Sequence, residues 1–190
     1  DGIERSTIVK MEMSVVVPPE SKGTHMSRFI EIVQADDRQL GPEAVLRMLR
    51  EMQGRLEAAE ARLVLEYPMF MEREAPVSKS KGMIDIDCGF VGLINGDEID
   101  LVQKAVVTVT SLCPCSKEIS DYGAHNQRGA VTVEVRTRKD EDGTPVTLPM
   151  GDLIFAAEES ASCRIYPVLK RPDERWITME AYENPVFVED

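Results

Sequence analysis

Three side chains able to bind a metal ion or act as nucleophiles fall in one polar stretch. They are Cys113, Cys115 and His125, within Ser111-Leu-Cys-Pro-Cys-Ser-Lys-Glu-Ile-Ser-Asp-Tyr-Gly-Ala-His-Asn-Gln-Arg128. A thiolate and an imidazole twelve residues apart reach one ion if the segment folds back, and Gly123 gives the backbone freedom to do so. Joined by a carboxylate, they make a donor set suited to a divalent transition metal, with a fourth position left open. Water bound at such a position has its pKa lowered from about 15.7 towards about 7, which makes hydroxide available near neutrality. Other chemistries use the same residues. A Cys113–Cys115 disulfide closes a strained ring across a single proline. A closed structural site using both thiols and His125 needs a fourth ligand that spacing does not place. An activated thiolate with His125 or Glu118 as its base is a third possibility, and spacing leaves all of these open.

A polar segment of this kind needs rigid elements on either side, and the sequence supplies them. Before it, residues 83 to 94 place Ile84, Ile86, Cys88, Phe90 and Ile94 on one face. Asn95-Gly96 then signals a tight turn. The return run, 98 to 110, alternates Ile99, Leu101, Gln103, Ala105, Val107 and Val109, so the two form a hairpin that delivers the chain to Ser111 and Cys113. In this pattern Cys88 is a buried, inert thiol. After the polar segment, 130 to 138 read as a strand ending in a solvated acidic turn, Lys139 to Gly143. Residues 150 to 164 read as a helix with Leu153, Ile154, Ala157 and Ala161 on one stripe, and this helix carries the adjacent Glu158 and Glu159. The apolar run Ile165 to Leu169, the turn Lys170 to Glu174 and a strand from Trp176 to Ala181 complete the chain.

The N-terminal part reads as support. Residues 7 to 17 alternate Val9, Met11, Met13, Val15 and Val17 against Lys10, Glu12 and Ser14, a half-buried strand ended by Pro18 and Pro19. A polar turn holding His25 and Arg28 leads into a short helix with Thr24 or Ser27 as its cap. Gly41-Pro42-Glu43 opens a clear helix with Val45, Leu46, Leu49, Met52 and Leu56 at helical spacing and Met48 and Met52 in the core. Residues 62 to 71 turn strand-like, interrupted by Pro68.

Composition narrows the function classes. A chain of 190 residues buries an ordinary core without staples, and no apolar run approaches the roughly 18 residues of a membrane span. The net charge of −12 opposes non-specific attraction to nucleic acid or anionic lipid, although a phosphate-bearing small molecule still suits a locally basic site. Arg28, Lys117, Arg128, Lys170 and Arg171 are the cations in or near the polar turns. Four cysteines without paired C-x-x-C units point to reduced thiols and a cytoplasmic setting.

The segment Ser111 to Arg128 resembles the signature of the type IB GTP cyclohydrolases, a prokaryotic metal-dependent family that includes archaeal Fe(II)-dependent members. Gly23-Thr-His-Met-Ser-Arg28, Tyr67-Pro-Met-Phe70, Glu158-Glu-Ser-Ala-Ser-Cys163, Lys170-Arg-Pro-Asp-Glu174 and Glu180-Ala-Tyr-Glu-Asn-Pro185 extend the resemblance over nearly the whole chain. It implies an α+β tandem tunnelling fold (T-fold), with antiparallel sheets and helices packed on one face. The first half would span 1–80, and the second, 81–190, would carry the metal loop. It further implies a cytoplasmic homotetramer with intersubunit active sites that hydrolyses GTP at guanine C8, releasing formate and forming a 7,8-dihydroneopterin phosphate for pterin or folate-type biosynthesis.

By motif, Cys113, His125 and Glu159 are the ligands of a divalent Zn, Mn or Fe ion, and Glu174 anchors the guanine edge. Arg28, Lys117 and Arg128 are the candidates for meeting the triphosphate that the resemblance implies. Cys115 receives no role. Family members continue past Asp190 into a region with a further glutamate and histidine, so the sequence is expected to be a portion of a longer protein. Two alternatives share these residues: a non-catalytic purine- or pterin-binding T-fold domain with a structural metal, and a thiol-dependent T-fold nitrile reductase.

Overall fold

A computed structural model describes residues 5–17, 20, 25–35, 39–74, 78–112, 118–119, 126–162 and 178–181. In chain order its elements are β1 (Lys10–Val15), α1 (Met26–Ala35), α2 (Pro42–Arg55), β2 (Glu60–Glu74), β3 (Lys81–Asn95), β4 (Glu98–Leu112), β5 (Asn126–Arg136), β6 (Arg138–Lys139), β7 (Pro145–Val146), α3 (Met150–Ser162) and β8 (Thr178–Ala181). Six strands form an antiparallel sheet in the order β1-β2-β3-β4-β5-β8, and β6 pairs with β7 as a separate ribbon. This is the α+β class expected from the sequence, an arrangement consistent with a T-fold. The chain clusters into two compact units, Asp1–Tyr67 with Gly89–Gln103 and Arg136–Thr147, and Pro68–Cys88 with Lys104–Val135 and Leu148–Asp190.

In the first unit β1 runs antiparallel to β2 with Lys10 opposite Glu66 and Val15 opposite Ala61. The register puts Met11 and Met13 beside Leu65 and Leu63, the buried side of β2. The other side carries the ion pairs Lys10–Glu66 at 2.9 Å and Arg62–Glu12 at 2.7 Å. Helix α2 starts at Pro42, where a missing N–H costs nothing, with Gly41 as its N-cap. It buries Ala44, Val45, Met48, Leu49 and Met52. A Cβ at Gly92 of β3 would stand 2.7 Å from Leu49 Cδ1 and 2.9 Å from Val45 Cγ1, so the strand needs a residue without a side chain there for α2 to seat. Leu46, expected on the core stripe, is only half-buried.

The hairpin of β3 and β4 turns at Gly96, whose φ of 56° is in the left-handed region that glycine adopts freely. Ile86, Cys88, Phe90, Ile94, Ile99, Leu101, Ala105 and Val107 are buried as the alternation predicts, with Gln103 the one polar member of the row among the described residues. Ile84, expected on the same face, is 38% exposed.

Four expectations change in detail. Helix α1 begins at Met26, with the His25 carbonyl accepting from the Arg28 N–H at 3.0 Å. Ser27 is therefore inside the helix rather than its cap, and Thr24 lies outside the described residues. Strand β2 continues through Pro68 to Glu74. The β1 ladder stops at Lys10–Glu66, so beyond that point the β1 side of β2 has no partner strand among the described residues, and a proline without a donor is tolerated. Strand β4 extends to Leu112, and β5 starts at Asn126 rather than Ala130. Polar residues at both ends had disguised a ladder, which depends on backbone groups and not on side-chain hydropathy.

Candidate metal and substrate site

The elements that frame the polar segment belong to the second unit. Strands β4 and β5 are hydrogen-bonded neighbours in an antiparallel sheet. The C-terminal end of one therefore lies at the same edge as the N-terminal end of the other. Cys113 follows directly on Leu112, the last residue of β4, and His125 directly precedes Asn126, the first of β5. The two predicted ligands are thus attached to adjacent strand ends. The segment between the two strands is 113–125, shorter than the polar sequence suggested. Arg128 lies on β5 and not in the loop.

The third predicted ligand comes from α3. Its apolar stripe holds as expected, with Leu153, Ile154 and Ala157 buried. The helix then presents two adjacent carboxylates in different settings. Glu158 is half-buried, and both its oxygens are engaged by Arg73 of β2: Nη2 donates to Oε2 at 2.7 Å and Nε to Oε1 at 3.3 Å. Glu159 is exposed. Glu158 is thus paired with a guanidinium, and Glu159 is the carboxylate that the motif names. Phe155, one turn earlier on the same exposed side, is 60% accessible.

The remaining predicted residues divide as follows. Arg28 is half-buried on α1 and donates through Nη1 to the carbonyl of Arg55 at the C-terminal end of α2, where a cation complements the helix dipole. A guanidinium has five donors, so this bond leaves others for a ligand. Glu118, the alternative base, is exposed. Cys113, Cys115, Lys117, His125, Cys163, Lys170, Arg171 and Glu174 lie outside the described residues. Among the described residues, no group of three or more His, Cys, Asp or Glu side chains is placed to hold a metal ion. The chemistry of the donor set nonetheless fits a divalent ion: a thiol and an imidazole at neighbouring strand ends, and a carboxylate on a helix of the same unit.

Cys88 is a different kind of thiol. It is buried in the apolar row of β3, and burial first, then the charge of Asp87, pushes its pKa up to about 12. Burial therefore favours the protonated thiol at neutrality, in keeping with the inert packing role that the alternation predicts.

Arg73 had no role in the sequence reading. A signal was present: on β2 the odd-numbered positions Ala61, Leu63 and Leu65 point inward, and Arg73 has the same parity. A cation at a core-facing position needs a carboxylate partner. A strand taken to end at Met71 does not reach it.

An antiparallel sheet with helices is an α+β arrangement consistent with the T-fold class. A family profile described as "Type I GTP cyclohydrolase folE2" matches residues 1–190. The chain is 46% identical over 190 residues to the GTP cyclohydrolase FolE2 of Nitrosococcus oceani, covering 100% of this chain and 68% of that protein. It is 47% identical over 186 residues to GTP cyclohydrolase FolE2 1 of Dechloromonas aromatica (97% and 67%) and 43% over 187 residues to the FolE2 of Desulfosudis oleivorans (98% and 69%). The chain belongs to the type I GTP cyclohydrolase FolE2 family. No helix among the described residues is long and apolar enough to cross a membrane.

Proposed function

We propose that this chain is a GTP cyclohydrolase of the metal-dependent type IB kind: it hydrolyses GTP at guanine C8, releases formate and forms a 7,8-dihydroneopterin phosphate for folate-type pterin synthesis. The observation that carries this reading is the family match over all 190 residues, which includes the segment anchored on β4 and β5. Cys113, His125 and Glu159 would hold a divalent Zn, Mn or Fe ion. When bound, the ion supplies Lewis acidity at the reacting purine and lowers the pKa of water beside it.

The chain's own groups do the rest. Glu174 accepts from the guanine ring N–H and exocyclic amine together, a two-pronged contact that selects guanine and fixes which edge faces the ligands. Arg28, Lys117 and Arg128 meet the triphosphate, which a chain of net charge −12 can attract only through such local cations. Cys113 binds as thiolate and His125 as neutral imidazole, so metal affinity rises with pH until both have lost their protons. Division of the sequence into T-fold halves at 1–80 and 81–190, assembly as a homotetramer with intersubunit sites, and residence in the cytoplasm belong to the same reading.

The test is direct. Full-length protein loaded with Mn²⁺, Fe²⁺ or Zn²⁺ is expected to convert GTP to a product that becomes a fluorescent pterin on oxidation, and a chelator should abolish the signal. No turnover by any metal-loaded sample would overturn the proposal. Turnover insensitive to chelation would overturn its metal dependence.

A further inference from the structure

We propose that Arg73 is a positioning residue for the metal-binding carboxylate. Its bond to Glu158 sets the rotation of α3 and hence the direction in which Glu159 points. The inference rests on the reading above, in which Glu159 is a ligand.

The structural facts lie within one compact unit. Arg73 meets Glu158 side-on, with two nitrogens on two oxygens, a geometry that fixes orientation as well as distance. The two side chains are 34% and 29% exposed. Lys10–Glu66, at 81% and 49%, and Lys81–Glu72, at 66% and 47%, are far more open, and Lys104–Glu134, at 35% and 48%, is a looser contact at 3.7 Å. Solvent screens those pairs, whereas Arg73–Glu158 is sheltered enough to hold a shape. Helix geometry converts this into control of the neighbour. Successive residues are about 100° apart around a helix with 3.6 residues per turn, so locking position 158 determines the direction of position 159.

The apolar stripe alone gives less control. Leu153 and Ile154 are buried a full turn earlier, and the last buried contact before the carboxylates is Ala157, a single methyl. Ser160 Oγ donates back to the Ala156 carbonyl at 2.7 Å, a bond that loosens or bends a helix rather than stiffening it. The Arg73 fork therefore adds a directional contact at the end of α3. Lysine at this place would keep the charge and lose the planar two-point contact.

The experiment is titration of the full-length apoprotein with Co²⁺, followed by its absorption spectrum, alongside thermal unfolding of the apoprotein. Arg73→Gln is expected to weaken Co²⁺ binding by about 10- to 100-fold, the range for groups that orient a ligand. Arg73→Lys should fall between that variant and the wild type. The charge reversal Arg73→Glu with Glu158→Arg should recover part of the loss. If Arg73→Gln fails to fold, Arg73→Lys carries the test, because it leaves the half-buried Glu158 with a cation. Lowered thermal stability with unchanged Co²⁺ affinity and spectrum would overturn the proposal and leave Arg73 a structural residue. Cys113→Ala separates this from failure of the underlying reading. Undiminished Co²⁺ binding by Cys113→Ala overturns the ligand assignment itself. Lost binding there with none lost in Arg73→Gln overturns only the positioning role.

Discussion

Helices α2 and α3 solve the same packing problem with different endings. Helix α2 buries five apolar residues along its length and seats Leu49 and Val45 over Gly92, so its position is set by shape. Helix α3 buries Leu153, Ile154 and Ala157 and then turns polar while still half-buried, with a charged fork taking over where the apolar stripe stops. A helix that only supports a sheet has no reason to shelter a carboxylate. One that must aim a carboxylate has, because a directional bond fixes rotation and dispersion contacts do so only weakly. On the proposed reading, the difference separates scaffold from site without reference to Cys113 and His125.

The strongest way to break this division is to damage the scaffold and watch the site. Leu49 is fully buried, and opposite it Gly92 has no side chain to fill a void. Leu49→Ala should therefore leave a cavity and destabilise the protein by about 2–5 kcal/mol, measured from the urea midpoint. Co²⁺ affinity of the folded protein should stay at the wild-type value. A loss there comparable to that of Arg73→Gln would mean that α2 shares in aiming the ligands, and the division would fail.

Cys88 sharpens the comparison from the other side, since it is a thiol of the second unit placed for packing and not for chemistry. Its folded pKa of about 12 is raised above the roughly 8.5 of a free thiol, so folding favours the protonated form. The resulting stability is complete below about pH 8.5 and is lost as pH rises towards 12. Cys88→Ala should be less stable at neutrality yet show a shallower decline between those pH values, read from urea unfolding at successive pH. Parallel declines in variant and wild type would show that the thiol is not sheltered as its surroundings require.

The sequence made much of this legible and hid the rest for physical reasons. Alternation exposed β1, β3 and β4, helical spacing exposed α2 and α3, and Asn95-Gly96 marked the turn, because each reports burial on one face. The ends of β4 and β5 were hidden because Ser111, Asn126, Gln127 and Arg128 join the ladder through backbone groups that hydropathy does not report. The pairing of β5 with β8, which sets Val131 opposite Ala181, joins segments some fifty residues apart and leaves no local trace. From residue types and spacing alone, Glu159 is one of two adjacent carboxylates on α3. The motif names Glu159 rather than Glu158, and the partner of Glu158 on β2 is a tertiary fact that spacing does not report.

The smallest expected effect tests whether ion pairs matter by length or by setting. Arg62 meets Glu12 at 2.7 Å, the same separation as Arg73 and Glu158, but the Arg62 and Glu12 side chains are 41% and 66% exposed. Water and salt screen such a pair, and holding two long side chains together costs entropy that offsets the attraction. Arg62→Ala should shift stability by less than about 1 kcal/mol, shrink further at high salt, and leave Co²⁺ binding unchanged. Urea midpoints at low and high salt and one titration check all three. If Arg62→Ala weakened metal binding as Arg73→Gln does, charge anywhere on the sheet would suffice, and the sheltered two-point geometry at Glu158 would lose its special standing.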